Sequence, residues 1–339
     1  MSDQKKPTGM TYEQSGVSID RGNQAVEWIK PLAASTRRSE VIADVGGFAG
    51  AFRLGDAELL AGADGVGSKL LLAKELQQFE TIGIDLVAMN VNDILAAGGE
   101  PLFFLDYLAM GHVDPKRVRD LVSGVAAGCR EAGTALLGGE TAEMPDLYPH
   151  GDFDLSGFAV GVRKFHPRVP PKPGDRVIGL ASSGFHSNGY QFIRRVIAAS
   201  GRRFDETLPE LGNRRLGEVL LTPTRIYVQA VQRLWSEVEV KAMAHITGGG
   251  LPENLPRTLN GLGATLYRDA WPMPQEMSLI QEWGGIDDRE MARAFNLGVG
   301  FTVTVSPEAV EAAQESLSQS GIESWVIGQV RDLAGVEFS

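Results

Sequence analysis

Asp64-Gly65-Val66-Gly67-Ser68-Lys69 follows the apolar run Glu58 to Ala63 and precedes a helical pattern from Leu70 to Phe79. Strand, glycine turn and helix in that order point to phosphate chemistry. Glycines let the backbone approach a polyphosphate, a helix start offers free N–H groups, and Lys69 supplies charge. Asp64 is placed to hold a Mg²⁺ travelling with a nucleotide. Gly62 and Gly67 have P-loop spacing, but Ser68-Lys69 stands where a P-loop has Lys then Ser or Thr, and Asp64 lies inside the loop. The stretch therefore reads as a nucleotide site outside the P-loop fold.

The chain has 339 residues, enough for two domains with ample core. Hydrophobic residues make up 43% and charged residues 22%, as in a globular protein. A net charge of -11 argues against a broad nucleic-acid or membrane surface but leaves room for a local basic pocket. The single cysteine, Cys129, allows no internal disulfide framework and fits a reducing cytoplasm; it reads as a buried, inert helix residue. No signal peptide and no membrane-length apolar run is expected.

Around the opening motif the pattern alternates between helix and strand. Residues 1–20 read as a flexible arm and 23–34 as a helix, followed by the mobile glycine loop Gly46-Gly47-Phe48-Ala49-Gly50. Helices are expected over 86–97 and 115–132, and strands over 102–110, 135–137 and 154–162. Four prolines between Pro167 and Gly174 mark a domain boundary, giving domains of 21–166 and 174–339. Beyond it come a strand at 176–181, helices at 189–200 and 223–234, and a strand–helix–strand unit over 299–330. The alternation implies two α/β or α+β domains.

Other clusters carry chemistry. Asp85, Asn90, Asn92 and Asp93 sit in an apolar helix, where burying them unpaired would be costly. Ligand binding would satisfy them; so would capping or a solvated stripe. Gly138-Gly139-Glu140 follows a short strand, where α/β sites often form. Ser182-Ser183-Gly184-Phe185-His186-Ser187-Asn188 can cradle an anion through N–H groups and hydroxyls, with His186 as acid, base or donor. His245-Ile246-Thr247-Gly248-Gly249-Gly250 places bare backbone beside a ligand and suits a sugar phosphate. His112, His150 and His166 read as surface residues.

These motifs, DGVGSK, TIGIDLVAMNVND, GEPLFFLDY, LGGETAEMP, SSGFHSNGY, TPTRIY, HITGGG and FNLGVG, occur in one order over roughly residues 12 to 330. In that order they resemble the phosphoribosylformylglycinamidine cyclo-ligase family. Ser68 stands where the family often has Thr, and Leu297 where it often has Met or Cys. The resemblance implies a two-domain synthetase fold, with N-terminal domains pairing across a homodimer into a β-barrel and a larger C-terminal α/β domain. It implies ATP and Mg²⁺, no nucleic-acid or membrane partner, and the reaction formylglycinamidine ribonucleotide + ATP → aminoimidazole ribonucleotide + ADP + phosphate.

The implied metal set is Asp64, Asp93 and Glu140. Gly65, Gly67, Lys69, Gly138 and Gly139 complete the implied ATP site, and Lys30, a second cationic contact, is implied among the catalytic residues with His186 and His245. His186 and His245 are implied in proton transfer and hydrogen-bond donation. Ser182, Ser183, Ser187, Asn188, Thr247, Gly248 and Gly249 are implied at the ribonucleotide. Two other readings remain open: another ATP-using member of the superfamily, such as thiamine-monophosphate kinase, and a non-catalytic nucleotide-binding module.

Overall fold

The structure, a computed structural model, describes residues 9–43 and 45–339. Helix α1 (Ile19–Ser35) leads into a sheet of β1 (Gly50–Leu54), β2 (Ala57–Gly65), β3 (Gly99–Met110), β4 (Ala135–Glu143) and β5 (Phe153–Arg163). Helices α2 (Lys69–Leu76), α3 (Ile82–Ala96) and α4 (Pro115–Ala132) lie between these strands in sequence. The strand order is β1-β2-β5-β3-β4, antiparallel except for the parallel β3–β4 pair. Asp114 caps α4, accepting from the N–H groups of Lys116 and Arg117, and Gly133 closes the helix in the left-handed conformation.

A second sheet follows the proline-rich stretch. Its chain order is β6 (Arg176–Ala181), α5 (Tyr190–Ser200), the short pair β7 (Thr207–Leu208) and β8 (Arg214–Arg215), α6 (Leu216–Leu220), α7 (Val228–Glu237) and β9 (Val240–His245). Then come α8 (Gly250–Asn254), β10 (Gly263–Leu266), α9 (Gln275–Gly284), α10 (Asp288–Ala294), β11 (Val299–Val305), α11 (Val310–Gln319), β12 (Ser324–Arg331) and β13 (Gly335–Phe338). The six strands run β13-β10-β12-β6-β11-β9. Every residue of β11 is buried, so its run of Val, Phe and Thr reads as a central strand covered on both faces.

α3 is the core helix of the first unit. Leu86, Val87, Val91, Ile94 and Leu95 are all fully buried, and α3 packs on β2, β3 and β5 with α4 beside it. The two helices cross through glycines. A Cβ on Gly83 would lie 2.2 Å from the Val125 nitrogen, and one on Gly124 would lie 2.0 Å from the Glu80 carbonyl oxygen. Only glycine permits that approach.

The helices cover one face of the first sheet, and much of the other is open. Tyr107 and Phe158 are each 41% exposed there. By strand alternation Leu105, Tyr107, Phe158 and Glu140 share this outer face, whereas Asp64 and Asp106 share the helix face.

Two differences from the sequence expectations have local causes. Of the arm expected over 1–20, residues 1–8 lie outside the described residues. From Gly9 onward the chain is docked: Met10 N–H donates to the Gly284 carbonyl at 3.1 Å, Tyr12 N–H to Glu290 at 2.6 Å, and the Tyr12 ring packs edge-on against Phe192. The helix expected from Pro223 begins at Val228, because residues 222–227 form no regular element and are tied to α3 instead. There Asn92 accepts from Tyr227 N–H at 3.0 Å and donates to the Arg225 carbonyl at 2.8 Å.

Candidate functional site

The Asp64–Gly67 turn, the Ser187-Asn188 turn and the Thr247-Gly248 turn meet in a cleft of about 490 Å³ between the two sheets' units. Each turn is held by its own local device. Gly67 adopts φ +71°, which turns the chain from β2 into α2. Asn254, fully buried, donates to the carbonyls of Gly248 at 3.1 Å and Gly250 at 2.8 Å, fixing the triple-glycine turn. The serine-rich loop is anchored by Ser183 Oγ, which donates to the Pro223 carbonyl at 2.6 Å, and by Asn296 Nδ2, which donates to the Gly184 carbonyl at 2.9 Å. Met89, Asp154, Leu155 and Ser156 also line the cleft. Asp154 and Ser156 escaped the sequence reading; their signal was the alternation of polar and apolar residues in Asp154-Leu155-Ser156-Gly157-Phe158.

The electrostatics centre on two carboxylates. Asp64 lies open at the cleft mouth but is walled by protein on its other sides. That desolvation, and then repulsion from Asp93, push its pKa up to about 6; the Gly65 N–H and His245 oppose the shift. Asp93 Oδ1 is 2.8 Å from His245 Nδ1, and the His245 ring is fully buried. Its Nε2 is buried with no partner. Asp64, Asp93 and His245 thus form one polar cluster joining the two units.

Several sequence expectations need correction. Lys69 does not face the cleft. Its ammonium is fully buried, 2.9 and 2.8 Å from the two oxygens of Asp85, and donates to the carbonyls of His186 at 3.1 Å and Thr222 at 2.8 Å. With those partners it has no proton left for a phosphate. Glu140 does not join Asp64 and Asp93 within one chain. It faces the outer side of edge strand β4, three strands from β2, a separation of about 14 Å. Gly138 and Gly139 lie on the same edge strand and also stand apart from the cleft. Among the described residues no three His, Cys, Asp or Glu side chains are grouped to hold a metal.

His186 is also internal. It is 1% exposed, its Nε2 accepts from Ser183 N–H at 3.2 Å, and burial drives its pKa well below the usual imidazole value. A neutral ring so enclosed shapes the loop and presents no acid to the cleft. Ser182, Ser183 and Gly249 stand behind the lining and support it, whereas Ser187, Asn188, Thr247 and Gly248 form it. Lys30 lines a separate, larger recess of about 1020 Å³ with Gly46, Gly47 and Phe48, and pairs with Glu27 at 2.5 Å. Two polar residues of α3 are met by the second unit: Asp85, paired with Lys69 of α2, also accepts from the Thr224 N–H and hydroxyl, and Asn92 meets residues 225 and 227, whereas Asn90 donates to the Leu86 carbonyl within its own helix.

Asp64 gives a stability test. Its folded-state pKa is raised, so its ionisation disfavours the fold, and this loss grows as pH rises through about 6. Asp64→Asn is expected to raise the thermal midpoint at pH 8, with the gain shrinking as pH falls through 6 towards 4. Thermal unfolding followed at several pH values checks this.

Family models match both units. Residues 46–163 match the model described as AIR synthase related protein, N-terminal domain, and residues 172–338 match its C-terminal domain. Phosphoribosylformylglycinamidine cyclo-ligase of Oceanobacillus iheyensis is 46% identical over 337 residues, covering 97% of this chain and 98% of the relative. The enzyme of the same name from Desulfitobacterium hafniense is 49% identical over 331 residues, covering 95% of this chain and 97% of the relative. Among solved structures, thiamine monophosphate kinase from Aquifex aeolicus superposes with a TM-score of 0.63 at 19% identity, covering 95% of this chain and 98% of that one, a likeness of fold alone. From Gly46 to Phe338, on both sides of the cleft, the chain belongs to the AIR synthase related family.

Proposed function

We propose that this chain closes the imidazole ring of aminoimidazole ribonucleotide in purine biosynthesis, consuming ATP and formylglycinamidine ribonucleotide. The observation that supports it best is the meeting of the acid–glycine, serine–asparagine and threonine–glycine turns in one interdomain cleft, within a chain 46% identical to a cyclo-ligase along nearly its whole length. The chemistry needs both walls. A formamide oxygen is a poor leaving group; transferring the γ-phosphoryl group of ATP to it makes it one. The amidine nitrogen then attacks the formyl carbon, the five-membered ring closes, and the formyl oxygen departs in phosphate. Both reacting atoms belong to one molecule, so holding it folded supplies much of the acceleration.

Asp64 and Asp93 fit a hard divalent cation: two adjacent carboxylates, with phosphate oxygens and water completing the shell. Mg²⁺ bound there would neutralise charge on the triphosphate as the phosphoryl group moves. His245 orients Asp93 through the 2.8 Å contact at Nδ1. The recess under Gly46–Gly50 takes the nucleoside end of ATP. Gly62 of β2 lines that recess, and Asp64, two residues on, lines the cleft, so one strand runs from base to phosphates. Lys30 lies against the Gly46 turn, and its exposed pair with Glu27 is weak enough to exchange for a phosphate. The Gly46–Gly50 loop closes over the bound nucleotide.

The chain works as a homodimer in which the open faces of the first sheets meet. The support is the exposed aromatic pair Tyr107 and Phe158 on a face that no helix covers.

Two outcomes are expected. Purified protein with ATP and Mg²⁺ should release ADP and phosphate only when formylglycinamidine ribonucleotide is present. Phosphorylation of thiamine monophosphate, or ADP release independent of the ribonucleotide, would overturn the reading. Phe158→Asp should shift the mass measured by light scattering at micromolar concentration from dimer to monomer; an unaltered dimer would place the interface elsewhere.

A further inference from the structure

One hydroxyl at the cleft has the direction of its proton set by its neighbours. Ser187 lines the wall, with its Oγ 3.0 Å from Asp85 Oδ1 and 2.9 Å from Thr224 Oγ1. Asp85 is fully buried on α3, ion-paired with Lys69. It also accepts the Thr224 N–H and the Thr224 hydroxyl, both at 2.7 Å. Every group facing this carboxylate is a donor, so it only accepts. The single hydroxyl proton of Thr224 is used in the shorter of the two hydroxyl contacts to Asp85. The single proton of Ser187 then goes either to Asp85 or to a lone pair of Thr224 Oγ1. In both cases it points inward, and Ser187 offers lone pairs to the cleft.

We propose that Ser187 is a specificity-determining acceptor that receives a hydrogen bond from a donor on the ribonucleotide, an amidine N–H or a ribose O–H, while Asp85 and Thr224 act as positioning residues that hold its proton away. The proposal rests on the ribonucleotide occupying this cleft. It reverses the sequence expectation for this hydroxyl, which assigned it to an anion: a phosphate oxygen brought to Ser187 would meet lone pairs. Thr224 lies outside the cleft lining and is 1% exposed, so it acts only through Ser187 and Asp85.

The test compares wild type, Ser187→Ala, Thr224→Val, Thr224→Ser and the Ser187→Ala/Thr224→Val pair. The readouts are kcat, the KM for each substrate and the thermal midpoint. Inhibition by an analogue with an amide in place of the amidine is measured alongside. Ser187→Ala should raise the ribonucleotide KM about 10-fold, the worth of one hydrogen bond to a charged or strongly polar donor, and leave the KM for ATP within about twofold. Thr224→Val should move the same constant in the same direction and Thr224→Ser should restore it. The double variant should be no worse than Ser187→Ala alone, because both act on one contact.

If Ser187→Ala narrows the preference for amidine over amide, the donor is the amidine. If both bind more weakly by the same factor, the donor is the ribose. An unaltered ribonucleotide KM in Ser187→Ala overturns the proposal, as does a rise in the KM for ATP together with a lowered thermal midpoint. A wild-type protein whose ADP release ignores the ribonucleotide would instead refute the reading of the cleft.

Discussion

The buried ion pair of Lys69 and Asp85 is the contact on which the rest of the site depends. Lys69 opens α2, directly after the acid–glycine turn, and Asp85 lies on α3. Between them they hold carbonyls of residues 186 and 222 and the Thr224 N–H, all from the second unit. Removing one partner would leave a buried charge unpaired, at a cost of about 3–5 kcal/mol. A pair of apolar residues could fill that space without such a penalty, but it could not hold these carbonyls and hydroxyls in place. The pair thus fixes the distance between the two cleft walls, and Asn92, two helical turns further along α3, repeats the attachment at residues 225 and 227.

With the walls fixed from behind, the front of the cleft can tolerate an unfavourable arrangement. Asp64 and Asp93 repel each other, and Asp64 is partly desolvated before any ligand arrives. The cation proposed for this pair would relieve both strains, so that the stability given up in the free protein would return as affinity. His245 reaches across from β9 to steady Asp93, so the first unit supplies the carboxylate pair and the second unit orients it.

The sequence conveyed the elements well where pattern and length agreed. The apolar α3 stretch, the strand at 176–181 and the capped helix at 115–132 all read correctly from periodicity and terminal residues. The turns that bear the site were equally visible, because glycines and small polar residues between strand and helix have few other uses. What sequence could not supply was direction. A lysine beside a glycine turn looks like a phosphate contact until the fold brings Asp85 within 2.8 Å of it. A histidine in a serine-rich loop looks catalytic until its ring proves to be enclosed. Glu140 follows a glycine pair that reads as a turn, yet those glycines continue strand β4, and the register places Glu140 on the face opposite to Asp64. Residues 222–227 look like the start of a helix, but hydrogen bonds from α3's side chains hold them out of it, a tertiary override of local propensity.

The most direct test is a crystal structure with a non-hydrolysable ATP analogue, Mg²⁺ and the ribonucleotide bound together. The nucleoside of ATP should lie in the Gly46–Gly50 recess with its triphosphate reaching the cleft at Asp64 and Asp93, where it meets the ribonucleotide held against Ser187, Asn188, Thr247 and Gly248. Lys69 should remain on Asp85, touching no phosphate. A Lys69 ammonium swung onto the triphosphate, or ligands that do not meet at the cleft, would contradict the account.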